Sequence, residues 1–241
     1  MKRIKQEMER VIRMKIERLY GSNDMAKIGC HDCAGCSSCC QDMGESIWLD
    51  PYDVYQLTLG LQRPFEGLLA KEVELHVEDG LILPNLRMAS KENAKVAQDI
   101  PECAFLNEAG RCSIHAFRPG FCRLFPLGRN YEEGKLEYFV LDGACPAPNK
   151  SKVKIEKWLG IPKIREYEAF LLQWHTLTKG LRLFYADNSE NEPVIKAINM
   201  QFLQIFYLTP YETEGFYPQF EKRMEKMKTL LQQLRVDLTE E

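Results

Sequence analysis

Residues 30–40 read CHDCAGCSSCC and contain five cysteines: Cys30, Cys33, Cys36, Cys39 and Cys40. Two residues separate each of the first three from the next, and the fifth follows the fourth directly. A two-residue gap lets two thiolates converge on one metal ion or one face of a cluster. The residues in the gaps are mostly small, which permits the tight turns that such convergence needs. The run therefore predicts a metal centre held on thiolates.

Four further cysteines follow at wider spacing: Cys103, Cys112, Cys122 and Cys145. A buried cysteine often packs simply as a small apolar residue, so this spacing is not diagnostic by itself. Turn-forming residues lie beside each of the four, in the same half of the chain as the compact run. All nine cysteines are therefore candidate metal ligands.

An iron–sulfur cluster is the favoured cofactor, with 4Fe–4S as the expected form. A single zinc ion takes four ligands, and five cysteines within eleven residues exceed that number. Zinc and non-haem iron are the alternatives, and Asp42, Glu45 and Asp50 are candidate oxygen ligands for the latter. The number of centres, and which cysteine is not a ligand, stay open.

Composition and charge predict a cytoplasmic globular protein. The 241 residues are 45% hydrophobic and 28% charged, and the net charge of −3 argues against a general nucleic-acid binder. The odd number of cysteines, with two adjacent and no export signal, disfavours disulfides and predicts a reducing compartment. No apolar stretch is long enough to span a bilayer. We expect a protein partner or a protein substrate rather than nucleic acid or a membrane.

Short strands and one helix are predicted between the cysteines. Asp50 followed by Pro51 predicts the start of a helix over residues 51–61. Alternating apolar residues around turn signals predict three hairpins, at residues 73–83, 103–114 and 127–141. Ahead of the cysteine run, apolar residues at helical spacing predict an amphipathic helix that reaches Leu19.

The remainder of the chain is helical in character and lacks cysteine after Cys145. Three stretches with apolar residues at helical spacing follow Pro148. The expected fold class is α+β, with small antiparallel hairpins and metal-binding loops packed with N- and C-terminal helices. We expect a cysteine-cluster region over residues 1–148 and a helical region over residues 149–241, packed as one compact unit.

Basic residues and histidines near the cysteines are the other candidate site residues. Arg118 and Arg123 flank Cys122, and we expect them to offset the charge of a thiolate-ligated centre or to bind an anionic substrate. His115 follows Cys112 by three residues, which suits either a metal ligand or a residue stacked in a turn.

Several motifs occur in order over residues 30–146: Cys33-x2-Cys36-x2-Cys39-Cys40, Cys103-Ala-Phe-Leu, Cys112-Ser-Ile-His and Arg118-Pro-x2-Cys122-Arg-x-Phe-Pro. Together they resemble the CxxCxxCC family, which is described as zinc- or iron-chelating and also contains flagellin lysine N-methylase. The resemblance implies eight metal-binding positions: Cys33, Cys36, Cys39, Cys40, Cys103, Cys112, Cys122 and Cys145. Cys30 is additional to this pattern, as a spare or a substitute ligand, and His115 stands where an aromatic residue is expected.

Three functions are compatible with these features. The first is a metalloprotein with an iron–sulfur cluster in a redox or structural role. The second, implied by the resemblance, is a protein-modifying enzyme, either methyltransferase-like or an iron-dependent oxidase. The third is a zinc-binding interaction module or metal chaperone. The sequence contains no phosphate loop, nucleophile elbow or zinc-protease motif, so catalytic residues are unknown.

Overall fold

The mixed α+β architecture of the chain confirms the predicted fold class. The structure is a computed structural model that describes residues 16, 18–30, 36–89, 100–213 and 215–238. Within these ranges it contains eight strands, which form four two-stranded antiparallel sheets, and seven α-helices. The helix predicted ahead of the cysteine run falls almost entirely outside the described residues. No described helix is both long enough and apolar enough to cross a bilayer.

The sheets pair β1 with β8, β2 with β3, β4 with β5 and β6 with β7. The strands are β1 (Met25–Gly29), β2 (Val73–Glu78), β3 (Leu81–Leu86), β4 (Met88–Ala89), β5 (Glu102–Cys103), β6 (Leu127–Glu132), β7 (Lys135–Val140) and β8 (Ser151–Lys154). The helices are α1 (Pro51–Leu61), α2 (Phe65–Leu69), α3 (Gly120–Leu124), α4 (Ile155–Leu159), α5 (Ile164–Asp187), α6 (Glu192–Leu203) and α7 (Phe216–Gln233).

The chain divides into two compact units. The first consists of Met1–Ala34 and Leu124–Leu172, and the second of Gly35–Arg123 and Gln173–Glu241. The boundary predicted between residues 148 and 149 stays a prediction.

In the first unit, the hairpin β6–β7 confirms the turn predicted from its alternating pattern. Tyr138 of β7 is fully buried, and its hydroxyl donates a hydrogen bond to Glu168 of α5 at 3.1 Å. The backbone of Tyr138 also exchanges two hydrogen bonds of 2.8 Å with Tyr20. These contacts build a core under the hairpin from residues far apart in sequence.

In the second unit, an aromatic core lies among α5, α6, the π-helix Gln204–Leu208 and α7. Trp174 stacks on Phe202 at 5.2 Å and meets Phe206 edge-on at 5.1 Å between ring centroids. Such aromatic pairs add specific geometry to the burial of large apolar area. The hairpin β2–β3 is attached to this core through Asn199 of α6, which accepts a hydrogen bond from the Ile82 amide and donates one to the Gly80 carbonyl.

Helix α1 begins at the predicted residue. Asp50 is its N-cap and accepts a hydrogen bond from the Asp53 amide at 2.9 Å, while the Asp53 side chain accepts one from the Asp50 amide at 3.2 Å. This reciprocal capping box satisfies two amides that a helix start leaves without intrahelical partners. Val54 and Leu57 of the helix are buried.

The hairpin predicted over residues 103–114 is present only as a single bridge between Leu106 and Cys112. The Asn107 side chain accepts hydrogen bonds from the amides of Ala109 and Arg111, at 3.1 and 2.9 Å. Asparagine side chains that take backbone amides in this way compete with ladder pairing. The segment therefore folds as a tight loop, and β5 pairs with β4 instead.

Candidate metal centre

Four cysteines of the second unit lie within electrostatic reach of one another, and we call them the four-thiol cluster: Cys39, Cys103, Cys112 and Cys122. Each of the six possible pairs among them interacts. One member comes from the compact run and three come from the widely spaced group. The fold thus brings together cysteines that no local spacing connects.

The end of the compact run is fixed against the strand that leads into Cys103. Cys39 lies in the short 3-10 helix Ser38–Cys40, and the next residue, Gln41, forms an antiparallel bridge with Glu102. The side chains of Gln41 and Glu102 are also hydrogen-bonded, at 2.9 Å. This pairing explains why the thiol of Cys39 lies within electrostatic reach of the thiol of Cys103.

The sulfurs of Cys103 and Cys112 each accept a hydrogen bond from the backbone amide two residues later, at Phe105 and Ile114. Burial raises the pKa of both thiols, and these amides act in the opposite direction. Hydrogen bonding to a charged form favours that form. Hydrogen bonds to ligating sulfur are also one of the features that tune a metal centre.

Cys122 lies in α3, whose first residue is Gly120. The Gly120 amide donates a hydrogen bond of 2.6 Å to Oδ1 of Asp53, which is buried. Burial raises the pKa of Cys122 well above its usual value, and the neighbouring thiols and Asp53 act in the same direction. Without a cation this thiol is therefore protonated at neutral pH.

Arg118 and Arg123 have different surroundings. The hydrogen bond to Cys40 and then burial raise the pKa of Cys39, whereas the Arg118 guanidinium opposes them. Arg118 also contacts His115 through Nη1, and its buried Nε has no hydrogen-bond partner among the described residues. Arg123 instead donates to two backbone carbonyls, to Arg118 O at 2.9 Å and to Ala116 O at 2.6 Å.

The other predicted cysteine ligands differ in their surroundings. Cys40 is hydrogen-bonded to Cys39, and Cys36 is exposed with its sulfur 3.5 Å from the Ser38 hydroxyl. Cys33 lies outside the described residues. Cys30, which is partly exposed, and Cys145, which is buried, belong to the first unit.

Two of the three candidate oxygen ligands are engaged elsewhere. Asp50 caps α1, and Glu45 forms an ion pair with His76 at 3.2 Å. In the described part of the chain, no three side chains of His, Cys, Asp or Glu are already arranged to hold a metal ion. The members of the four-thiol cluster are thus neighbours rather than a preformed ligand set.

The donor chemistry of the cluster nevertheless fits a soft metal centre. Four thiols suit a zinc ion or an iron–sulfur cluster, since thiolates are the ligands that these centres share. The buried, unpartnered Nε of Arg118 is a donor that an anionic, sulfur-rich group could satisfy.

Sequence reasoning missed two residues that shape this site, Asp53 and Gly60. The capping box at Asp50 and Asp53 was a readable signal for the first, although its contact with Gly120 was not. Nothing local marks Gly60, where an added Cβ would lie 2.5 Å from the ring of Phe117.

The second unit contains a cysteine-rich region whose thiols are of the type that zinc and iron centres use. Residues 32–146 match the model of the CxxCxxCC family, described as "Putative zinc- or iron-chelating domain". This match over residues 32–146 agrees with the resemblance seen in the motifs. Neither the curated proteins nor the solved structures contain a match to the chain.

Proposed function

We propose that this protein binds a metal centre through the four-thiol cluster. The observation that carries the proposal is the mutual proximity of Cys39, Cys103, Cys112 and Cys122. Thiols must lose their protons to ligate a metal, so binding releases protons and strengthens with pH. Arg118 is placed to offset part of the negative charge of such a centre, because it interacts with Cys39 and Cys112.

The favoured occupant is an iron–sulfur cluster of the 4Fe–4S type, in a redox or structural role. Such a cluster takes four cysteine thiolates and supplies one-electron chemistry when bound. A fifth thiol, Cys40, lies beside Cys39 and could take its place as a ligand. Burial and hydrogen bonds to sulfur, which both occur here, are the features by which a protein sets the potential of such a cluster.

A closed zinc site is the second candidate, in an interaction module or metal chaperone. The amides that hydrogen-bond the Cys103 and Cys112 sulfurs support it, because they would stabilise thiolates around zinc equally well. Zinc bound by four thiolates has no open position and is structural.

The setting we propose is the cytoplasm, with a protein as partner or substrate. Free thiols at Cys36, Cys39, Cys40, Cys103, Cys112, Cys122 and Cys145 suit a reducing compartment. The enzymatic alternatives, a methyltransferase-like protein or an iron-dependent oxidase, stay predictions from the family resemblance.

The deciding experiment is anaerobic purification followed by iron, zinc and acid-labile sulfide analysis and a visible spectrum. Brown protein with iron and sulfide in near-equal amounts supports the cluster, whereas colourless protein with zinc alone supports the second candidate. Iron without sulfide would point to a non-haem iron site. Protein that holds no metal, even after anaerobic reconstitution with each metal, would contradict the proposal.

Two matched serine variants test the assignment of ligands. C112S removes a member of the four-thiol cluster, and we expect it to lose most of the bound metal. C36S removes an exposed thiol that contacts Ser38, and we expect it to retain more metal. Equal loss in the two variants would show that the ligand set extends beyond the cluster.

A further inference from the structure

Asp53 connects the start of α1 to the start of the helix that carries Cys122. Its carboxylate is buried, with 3% of the residue exposed, and each oxygen has a separate task. Oδ2 accepts the amide of Asp50 at 3.2 Å, as part of the α1 capping box. Oδ1 accepts the amide of Gly120, the first residue of α3, at 2.6 Å. The hydrogen bond from the Gly120 amide is not needed to cap α1.

Helix α3 depends on such external contacts. It has five residues, and isolated helices of that length are unstable in water. Helix α1 has eleven residues and is anchored by Val54 and Leu57, which are buried. The hydrogen bond from the Gly120 amide to Asp53 therefore fixes the start of α3, which carries Cys122, to the well-packed helix α1.

A second contact holds the same segment against α1. The ring of Phe117 lies against Gly60, near the other end of the helix. Two points of α1 thus hold the segment between residues 117 and 120, immediately ahead of Cys122. Cys122 follows this segment directly, and its thiol lies within electrostatic reach of the other members of the four-thiol cluster.

The charge of Asp53 gives a further reason to connect it with a bound cation. The buried carboxylate carries its negative charge close to Cys122. A metal cation among the thiols would be attracted to this charge as well as to the thiolates.

We propose that Asp53 is a positioning residue for the metal centre: its Oδ1 fixes the start of α3 and thereby holds the Cys122 sulfur among the other three thiols. The inference rests on the proposed function, because the centre is what Asp53 positions. Asp53 itself is not a ligand in this proposal. Asp53 acts through the Gly120 amide. Residues that contact a metal ligand from behind commonly orient that ligand in this way.

The test compares three variants of the full chain, purified anaerobically with metal. D53A removes both acceptors, D50A removes the side-chain cap of α1 but leaves the acceptor for Gly120, and D53N retains an oxygen for Gly120. We expect D53A to transfer metal to a chelator about 10-fold faster or more, the range found when a residue behind a ligand is lost. D50A should stay near the wild-type rate, and D53N should recover most of it.

The visible or circular dichroism spectrum of the centre should change in D53A and remain unchanged in D50A. Equal metal-transfer rates in D50A and D53A would overturn the proposal, because loss of the α1 cap would then explain both. A D53A rate equal to that of the wild type would also overturn it. If D53A does not fold, D53N against D50A supplies the same comparison: a D53N rate at or below that of D50A supports the role of Oδ1, and a clearly faster one overturns it.

A thiol readout on metal-free protein separates this inference from the proposed function. After chelation and reduction, we expect alkylation of Cys122 relative to Cys112 to be faster in D53A than in D53N, which lacks the same charge but keeps an oxygen for the Gly120 amide, as read by mass spectrometry. An unchanged ratio would overturn the positioning role. Wild-type protein that holds no metal would instead contradict the proposed function, while the alkylation ratio would still report whether Asp53 places Cys122.

Discussion

The ring of Phe117 packs so closely on Gly60 that a Cβ atom at residue 60 would lie 2.5 Å from two of its carbons. Phe117 ends the 3-10 helix His115–Phe117, which leads from Cys112 towards Cys122. Real Cβ atoms do not approach carbon so closely, so this contact requires glycine on α1. A residue in the last turn of α1 thus helps to hold the loop that leads to Cys122.

Replacing Gly60 by alanine should destabilise the protein by about 1–3 kcal/mol, the usual cost of overpacking. The clash outweighs the gain of about 1 kcal/mol that alanine has over glycine in a helix. Chemical denaturation followed by circular dichroism measures the effect. The matched control is G67A in α2, where an added Cβ would have its nearest neighbour at 3.7 Å. A G60A variant as stable as G67A would contradict this account.

Local signals were sufficient to predict several elements of the fold. Asp50 and Pro51 marked the first turn of α1, because capping chemistry is confined to a few adjacent residues. The hairpins β2–β3 and β6–β7 followed from apolar alternation around a turn. Each of these features depends on residues that are near in sequence.

The arrangement of the site could not be predicted in the same way. All members of the four-thiol cluster were candidate ligands, but spacing did not separate them from Cys36 or Cys40. The bond between Asp53 and Gly120 joins segments that share no pattern, and only the tertiary fold brings them together. At residues 103–114, alternation suggested a hairpin, and the side chain of Asn107 competed with strand pairing.

The stability of the metal-free protein should fall as pH rises through the alkaline range. Burial raises the pKa of Cys103, Cys112 and Cys122 in the folded state. A thiol with a raised folded pKa stabilises the fold fully below its unfolded pKa of about 8.5, and this contribution is lost at higher pH. Urea denaturation with chelator and reductant at about pH 7.5 and 9.5 should show the decrease.

C103S should make the free energy of unfolding depend less steeply on pH, because the variant lacks one buried thiol. C36S is the control, since Cys36 is exposed and should leave the slope unchanged. A metal-free protein whose free energy of unfolding is constant over this range would show that the thiols are not protonated by burial.

Asn199 should be among the most sensitive polar residues outside the site. It is buried, accepts the amide of Ile82 at 3.0 Å and donates to the carbonyl of Gly80 at 2.8 Å. N199A leaves both backbone groups without that partner, and we expect a loss of about 1–3 kcal/mol from an unsatisfied buried group. M200A changes the adjacent, exposed side chain and should stay within about 0.5 kcal/mol of the wild type. Thermal or urea denaturation distinguishes the two.

Arg118 and Arg123 should differ in what their loss changes. Arg118 interacts with Cys39 and Cys112, so its positive charge stabilises added negative charge at a bound cluster. If the centre is an iron–sulfur cluster, R118M should lower its reduction potential by on the order of 50 mV, which corresponds to roughly 1 kcal/mol for one electron. R118K keeps the charge and should recover most of the shift. Protein-film voltammetry or a redox titration followed by the visible spectrum measures it.

R123M is the matched control, because Arg123 donates to the carbonyls of Arg118 and Ala116. Its loss should reduce stability by about 0.5–1.5 kcal/mol through lost hydrogen bonds and leave the potential of correctly folded protein closer to the wild type. The contrast separates charge from scaffolding: a charge that acts on the cluster changes its potential, whereas a side chain that holds the loop changes the free energy of unfolding. Equal potential shifts in R118M and R123M would contradict this division, and no shift in R118M would remove Arg118 from the surroundings of the centre.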